Sequence, residues 1–382
     1  MIKLLRYTFF ALLCSLAIQC KKNEITRIVT PQKNNILTDA TAFTLHEYEN
    51  YSVITVTTPW PNAQKPFTYV LTKSNKNIPD SLKQYLQIQV PLKNLVVTST
   101  TNIPFLEILG VENKLVGFPH TDYISSDKTR KLIDSGRIKN LGENEKINIE
   151  QLINLAPNAL VAFGVDGNNP TLNAIEKAGI PVLIQADWME QTPLGKAEWI
   201  KFFGALVGKE KEAKNYFDLV KKNYLNALEI VKTVQQKPTI LYGTMYQDQW
   251  YMPKGDSWKS TYIQDAGGNY LWKDVKGTGS IPLTFEQVFE KGQNALIWIA
   301  TGDITSWNEF GKSNIHYSQF KAYQNKKVYT FEGKKGKKGK KGGTLFFEFS
   351  PSQPDKVLKD YIKIIHPELL PNYPFTFVTP IQ

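Results

Sequence analysis

Cysteine is nearly absent from this chain: of 382 residues only Cys14 and Cys20 are cysteines, both within the first twenty positions. A disulfide framework is thereby excluded, and the fold must rest on an apolar core. Histidine is almost as scarce, with His46, His120, His316 and His366 far apart in sequence. That supply disfavours a bare divalent metal site built from imidazoles and carboxylates. The chain also lacks a Gly-x-x-x-x-Gly-Lys-Ser/Thr phosphate loop, a His-Glu-x-x-His, a Cys-x-x-Cys and a Gly-x-Ser-x-Gly. No motif therefore marks a nucleotide, a catalytic metal or a nucleophile. Neither is charge of one sign spread over the chain. The formal net charge is +11, but "GKKGKKGKKGG" (Gly333–Gly343) alone holds six lysines, Lys334, Lys335, Lys337, Lys338, Lys340 and Lys341. The remainder is mildly basic, and one Gly/Lys loop reads as solvated chain. Nucleic-acid binding needs basic residues across a face with interleaved aromatics, so a nucleic-acid partner is not expected.

What is present begins at the N-terminus. "MIKLLRYTFFALLCSLAIQC" has Lys3 and Arg6, an apolar run from Tyr7 to Ile18, and then Cys20. The run is too short to span a bilayer as a mature helix and reads as a secretory signal over residues 1–19. Its end resembles a bacterial lipoprotein signal, in which Cys20 would become the acylated N-terminus, although Gln19 stands where a small residue is usual. Acyl chains at about 0.8 kcal/mol per buried methylene would anchor the protein stably. Residues 20–42 then read as a polar tether.

Hydrophobic content of 42% supports a large core, and the length predicts two domains or lobes. Residues 43–91 open with alternating β-branched, aromatic and polar positions around a Pro/Asn turn, which predicts a β-hairpin over Phe43–Lys73. In residues 92–194, strands are expected at "NLVVTST", "KLVGF", "NALVAFG" and "IPVLIQ". Helices are expected at "IPFLEILG", "NIEQLINLA" and "NPTLNAIEKAG". Continuous apolar strands alternating with helices predict a parallel sheet covered on both faces. Residues 195–237 are helical: "KAEWIKFFGALVG" reads as one helix. From Lys209 the apolar positions Ala213, Phe217, Val220, Tyr224, Leu228, Val231 and Val234 step by three and four. A helix to Gln235, stopped by Pro238, would be a rod of about 40 Å at ~1.5 Å per residue, enough to join two lobes. Strand–helix alternation resumes in residues 238–382. The predicted fold class is α/β, with two Rossmann-like lobes on one long helix.

One phrase occurs twice. "INIEQLINLAPNALVAF" from Ile147 and "LTFEQVFEKGQNALIWI" from Leu283 agree at Glu150/Glu286, Gln151/Gln287, Asn158/Asn294, Ala159/Ala295 and Leu160/Leu296. They read as corresponding helix–strand units of two similar lobes. Aromatic residues supply the other signal. Trp188 follows the last strand of the first half, "TMYQDQWYMPKGDSWKS" carries Tyr246, Trp250, Tyr251 and Trp258, and Trp307 follows "LIWIATGD". In open parallel sheets ligands bind beyond the carboxyl ends of the strands. Trp188, Trp250 and Trp258 are accordingly expected to wall a cleft for a large, partly apolar ligand.

From about Leu92 to His366 the chain resembles the class III substrate-binding proteins of ABC importers, the family for ferric siderophores, haem and vitamin B12. "LVVTSTTNIPFLEILGVENKLVGFPHTDYISS", "NIEQLINLAPNALVAFG" and "GDSW…DAGGNYLWKD" carry the resemblance, and the N-terminal hairpin is similar to extensions of Bacteroidetes members. The resemblance implies a rigid interlobe helix and a ligand held between the lobes. It implies pocket-lining roles for His120, Asn144, Phe163, Tyr246, Ser280, Thr344 and Glu348. It also implies that Glu150 and Glu286 dock onto the two subunits of an ABC permease. A carboxylate in the first helical turn suits the macrodipole, and two on separate lobes suit a two-fold partner.

Vitamin B12 binders of this family tend to carry Trp where Asn144 and Ser280 stand, which argues against a corrin. The lysine loop, directly before "GGTLFFE", could draw an anionic chelate to the cleft mouth. The resulting expectation is a monomeric, periplasmic lipoprotein, membrane-anchored through Cys20, that delivers a ferric siderophore to a permease dimer. No catalytic residue, cofactor or resident metal is assigned. Haem or a cobamide is the alternative within the class, and a lipoprotein enzyme or a receptor-complex scaffold the alternatives outside it.

Overall fold

A computed structural model describes residues 35–73, 78–302, 304, 306–336 and 343–382. The expected signal peptide, Cys20, the greater part of the tether and Lys337–Lys341 lie outside the described residues.

The first layer is a four-stranded sheet, in spatial order β1 (Phe43–Glu47), β2 (Tyr51–Val56), β3 (Phe67–Thr72) and β4 (Leu86–Gln89). The predicted hairpin is thus part of a larger sheet. Strand β4 escapes sequence reading because only Ile88 of "LQIQ" is buried. Alternate residues Phe43, Leu45, Ile54, Val56, Tyr69 and Leu71 face the main core, as period-two side chains require. The Tyr69 hydroxyl accepts the backbone N–H of Ile184 at 2.8 Å.

That N–H belongs to β11 (Val182–Gln185), the edge of a five-stranded sheet. Its other strands are β10 (Leu160–Phe163), β5 (Leu95–Val97), β6 (Leu115–Phe118) and β7 (Lys139–Asn140), in that order and all parallel. The N-terminal sheet therefore occupies a donor that an open edge would leave unpaired. One face of this first-lobe sheet, with Leu95, Val97, Val161 and Leu183, joins the main core. The other, with Val96, Leu160, Ala162, Val182 and Ile184, forms a second cluster. Burial on both faces explains the uninterrupted apolar runs. A hairpin of β8 (Gly142–Glu143) and β9 (Lys146–Ile147) projects beside it.

The second lobe repeats the plan with β15 (Asn269–Tyr270), β12 (Thr239–Tyr242), β17 (Ile297–Ala300) and β18 (Val328–Thr330), closed by antiparallel β19 (Thr379–Pro380). A small antiparallel sheet of β13 (Met245–Tyr246), β14 (Gln249–Pro253) and β16 (Ser280–Leu283) is added. The repeated phrase occupies equivalent places. Helix Ile149–Leu155 leads into β10 beside β5, and helix Phe285–Gly292 leads into β17 beside β12, each pairing parallel.

The joining helix runs Glu210–Val231, 22 residues, or about 33 Å at ~1.5 Å per residue. Its stripe is divided: Ala213, Phe217 and Val220 belong to the first-lobe core, Tyr224 and Ala227 to the second. It ends four residues before the expected Gln235, and Pro238 is not the stop. Val231, Thr233 and Val234 are β-branched and carry little helical preference once packing is lost. The segment expected as one helix before it is two, Pro193–Glu198 and Ile200–Val207, broken at Trp199, whose indole donates to Glu190 at 3.0 Å.

The end of the segment read as a tether is fastened to this region. Buried Glu198 accepts the backbone N–H groups of Thr38, Asp39 and Ala40 at 3.0, 2.7 and 2.7 Å and pairs with Lys201 at 2.7 Å. Glu190 accepts those of Thr41 and Ala42, each at 2.9 Å.

Candidate functional site

A cavity of about 300 Å³ lies at the carboxyl ends of the first-lobe strands and is closed by a helix of the second lobe. Beyond β5 it is lined by Thr98, Ser99 and Thr100, beyond β6 by Pro119 and His120, and at the end of β10 by Phe163. Asn144 enters from the turn between β8 and β9, and Tyr123 from the turn after His120. Thr344, Phe347 and Glu348 come from the start of helix Leu345–Phe349. Five residues proposed from the sequence thus converge: His120, Asn144, Phe163, Thr344 and Glu348.

His120 takes a left-handed backbone, φ 51°, which an L-residue adopts only when its surroundings hold it there. Its N–H donates to Gly142 at 2.7 Å, its Nε2 lies 2.6 Å from Glu143, and its ring meets Tyr123 at 5.1 Å. The wall therefore carries an imidazole and a phenol beside one another. Thr98 Oγ1 accepts the N–H of Phe163 at 3.3 Å. Among the described residues no cluster of three or more His, Cys, Asp or Glu could hold a metal ion.

Glu348 crosses between the lobes. It is 1% exposed, and its carboxylate accepts the N–H groups of Ser125 and Ser126 at 2.6 and 3.0 Å. Burial pushes its carboxyl up to about 7; the backbone bonds pull the other way, and the neighbouring Glu107 adds to the rise. Glu107 itself accepts the hydroxyls of Ser126 and Thr129. Glu348 lines the cavity, and each oxygen of its carboxylate already accepts one backbone N–H of the opposite lobe.

The other proposed residues lie elsewhere. Trp250 is fully buried, stacked on Trp298 at 5.6 Å, with its Nε1 donating to the Tyr242 carbonyl at 2.8 Å. It belongs to the second-lobe core, not to a cleft wall, because alternation along β14 turns Trp250 and Met252 inward and Tyr251 outward. Tyr246 is exposed at the tip of that sheet, paired with Gln249, whereas Ser280 pairs with Pro253 at the opposite end. Those two residues do not share a wall. Trp188 is exposed in the turn after β11 and lines no part of the cavity. Trp258 is half-buried between Lys196 and Lys259, each ammonium 5.4 Å from its ring.

Two lysines of the Gly/Lys loop are not simply solvated. Lys334 donates to the carbonyls of Phe375 and Thr376 at 2.6 and 2.8 Å, and Lys335 to Thr344 at 3.1 Å. Sequence reasoning missed Thr98, Ser99, Thr100, Tyr123 and Phe347. A run of hydroxyl residues directly after an apolar strand, "LVVTSTT", was the available signal.

Glu150 and Glu286 are exposed second residues of their helices. Asn148 caps the first by accepting from Gln151 at 3.0 Å, and Thr284 the second by accepting from Gln287 at 3.3 Å. Hydrogen bonds from its own backbone N–H, and next from Thr284, hold the Glu286 carboxyl below its ordinary range.

The profile of the periplasmic binding protein family matches residues 95–334, more than half of the chain. The chain belongs to this family. The N-terminal sheet β1–β4 precedes the matched region. An uncharacterized lipoprotein of Methanocaldococcus jannaschii is 27% identical over 316 residues, covering 78% of this chain and 72% of that protein. Among solved structures, a periplasmic solute-binding protein of Staphylococcus epidermidis superposes with a TM-score of 0.57 at 20% identity, covering 72% of this chain and 100% of that one. The haem-binding protein HutB of Vibrio cholerae gives 0.54 at 18%, covering 70% and 99%. Ceue of Helicobacter pylori with Ni(II) bound gives 0.56 at 18%, covering 75% and 88%. These likenesses establish the two-lobed fold of the family.

Proposed function

We propose that this member of the family is the lipid-anchored, periplasm-facing substrate-binding protein of an ABC importer, and that its cargo is a ferric chelate of the siderophore class. The observation that carries the reading is the cavity between the lobes. Its apolar walls, Phe163 and Phe347, are joined by neutral hydroxyls and by the His120–Tyr123 pair, a lining suited to a large organic ligand with exposed oxygen donors. Glu150 and Glu286, at the same position of equivalent helices in two lobes, are the proposed contacts to a two-fold permease. Cys20 is the proposed site of the anchor.

Tryptophan fluorescence of the full chain in detergent tests this, titrated with ferric catecholates, ferric hydroxamates, haem and cyanocobalamin. Saturable quenching by a ferric chelate and not by the other two is expected. The His120–Tyr123 pair supports a second reading, haem, since both side chains are suitable axial ligands. A Soret band shifted on mixing, and lost in Tyr123→Phe or His120→Ala, would select haem over the siderophore.

A further inference from the structure

The cavity between the lobes does not end at Phe163. A second chamber of about 120 Å³ lies behind it, and the two share Thr98, Asn144 and Phe163 in their linings. The remaining wall is mostly apolar, with Ile147, Ala162 and Leu172 among its residues. One polar atom in the shared wall has no partner within the protein. Asn144 Oδ1 is buried and accepts no hydrogen bond, an arrangement folded proteins rarely leave uncompensated. Beside it, Thr98 Oγ1 spends an acceptor site on the N–H of Phe163, which leaves its hydroxyl proton to donate. The shared wall thus offers an unpartnered acceptor and a free hydroxyl proton, in a chamber whose other lining is Ile147, Ala162, Val165 and Leu172 with Asn169 and Glu145.

We propose that this chamber receives a neutral amide-type group of the cargo, with its N–H on Asn144 Oδ1 and its carbonyl on the Thr98 hydroxyl. A carboxylate fits less well, because Glu145 in the lining adds like charge. The loop that bounds the chamber is backed by Trp60, from the turn between β2 and β3 of the N-terminal extension. A Cβ at Gly164 would stand 3.0 Å from the Trp60 ring and one at Gly167 3.5 Å. The glycines permit this approach, and Trp60 keeps the loop from collapsing outward. The N-terminal extension thereby takes part in shaping the cleft. The inference rests on the interlobe cavity being the cargo site, and it adds the chemistry of one arm of that cargo.

Ligand-observed ¹⁹F NMR on the full chain in detergent tests it, with trifluoroacetamide as probe and trifluoroacetate as its anionic counterpart. Saturable millimolar binding of the amide is expected, with the carboxylate at least tenfold weaker. Thr98→Val and Asn144→Leu should each weaken the amide by tenfold or more. Leu172→Phe, which fills the chamber without touching either polar group, should abolish binding while the chain stays folded. Equal binding of the two probes, or amide binding indifferent to all three variants, overturns the proposal. So does the absence of saturable amide binding. Chelate titrations on the same samples separate the two readings. Amide bound without any ferric chelate keeps the chamber and removes the siderophore, whereas chelate bound without amide removes the chamber.

Discussion

Glu348 Oε2 accepts the backbone N–H of Ser125 at 2.6 Å, across a sequence separation of 223 residues and across the boundary between lobes. The second lobe thus reaches into the turn that starts helix Asp127–Asp134 of the first and satisfies N–H groups there. A carboxyl so placed has its charge opposed by burial and supported by backbone donors, and burial prevails.

The consequence for pH has a definite sign. The folded carboxyl titrates at about 7 against an ordinary 4.5. Between those values the unfolded chain has released this proton and the folded chain still holds it, so stability falls as pH rises through the window and levels off above it. The shift corresponds to roughly 3 kcal/mol by the usual 1.36 kcal/mol per pH unit. Urea unfolding midpoints of wild type and Glu348→Gln, compared from pH 4 to pH 8, should show a falling difference that flattens above pH 7. Parallel curves would remove Glu348 as the source.

Trp60 lies against Gly164 and Gly167. Trp60→Ala should raise hydrogen exchange at residues 164–168 and cost about 1–3 kcal/mol, below a fully buried Trp because Trp60 is half-buried. Gly164→Val should reproduce the exchange effect by steric conflict. Unchanged exchange in both variants would mean that Trp60 does not hold this loop.

Trp250 should behave as a core residue. Trp250→Ala is expected to cost about 3–5 kcal/mol, the usual range for a fully buried aromatic, measured by denaturant unfolding. Quenching by a bound chelate should persist in Trp250→Phe, since the indole is walled off by Trp298, Tyr317 and Phe320. Loss of quenching in that variant would return Trp250 to the cleft.

Glu198 holds three successive backbone N–H groups of residues 38–40 as well as the Lys201 ammonium. Glu198→Ala leaves those donors and a buried cation unpaired, at a cost of about 3–5 kcal/mol. Limited proteolysis should then cut within residues 35–42, where wild type resists. A resistant variant would show that Glu190, the Lys221–Asp39 ion pair and the Ile36–Leu45 backbone bond suffice to retain the segment.

The docking reading of Glu150 and Glu286 is checked with the importer reconstituted in proteoliposomes. Glu150→Ala/Glu286→Ala should leave chelate binding unchanged and abolish stimulation of ATP hydrolysis, with each single variant intermediate. Full stimulation by the double variant would assign permease recognition to other residues.

Much of this architecture is legible along the chain because the forces that create it are local. Uninterrupted apolar runs specify β5, β10 and β12, and a three-and-four stripe specifies the joining helix. The site is legible only in part. His120, Asn144, Phe163, Thr344 and Glu348 converge, but Trp250 turns into the core because its strand pairs with β16, a pairing that no local pattern discloses. Thr98 and Tyr123 become wall residues only where two lobes meet. By itself the sequence determined the main strands and helices of the two lobes, since each segment's own side-chain pattern marks it as buried on one face or on both. Tertiary structure alone decided which ends of those segments surround the cavity and which lobe satisfies Glu348, because those contacts join residues whose proximity arises only when the two sheets pack about one helix.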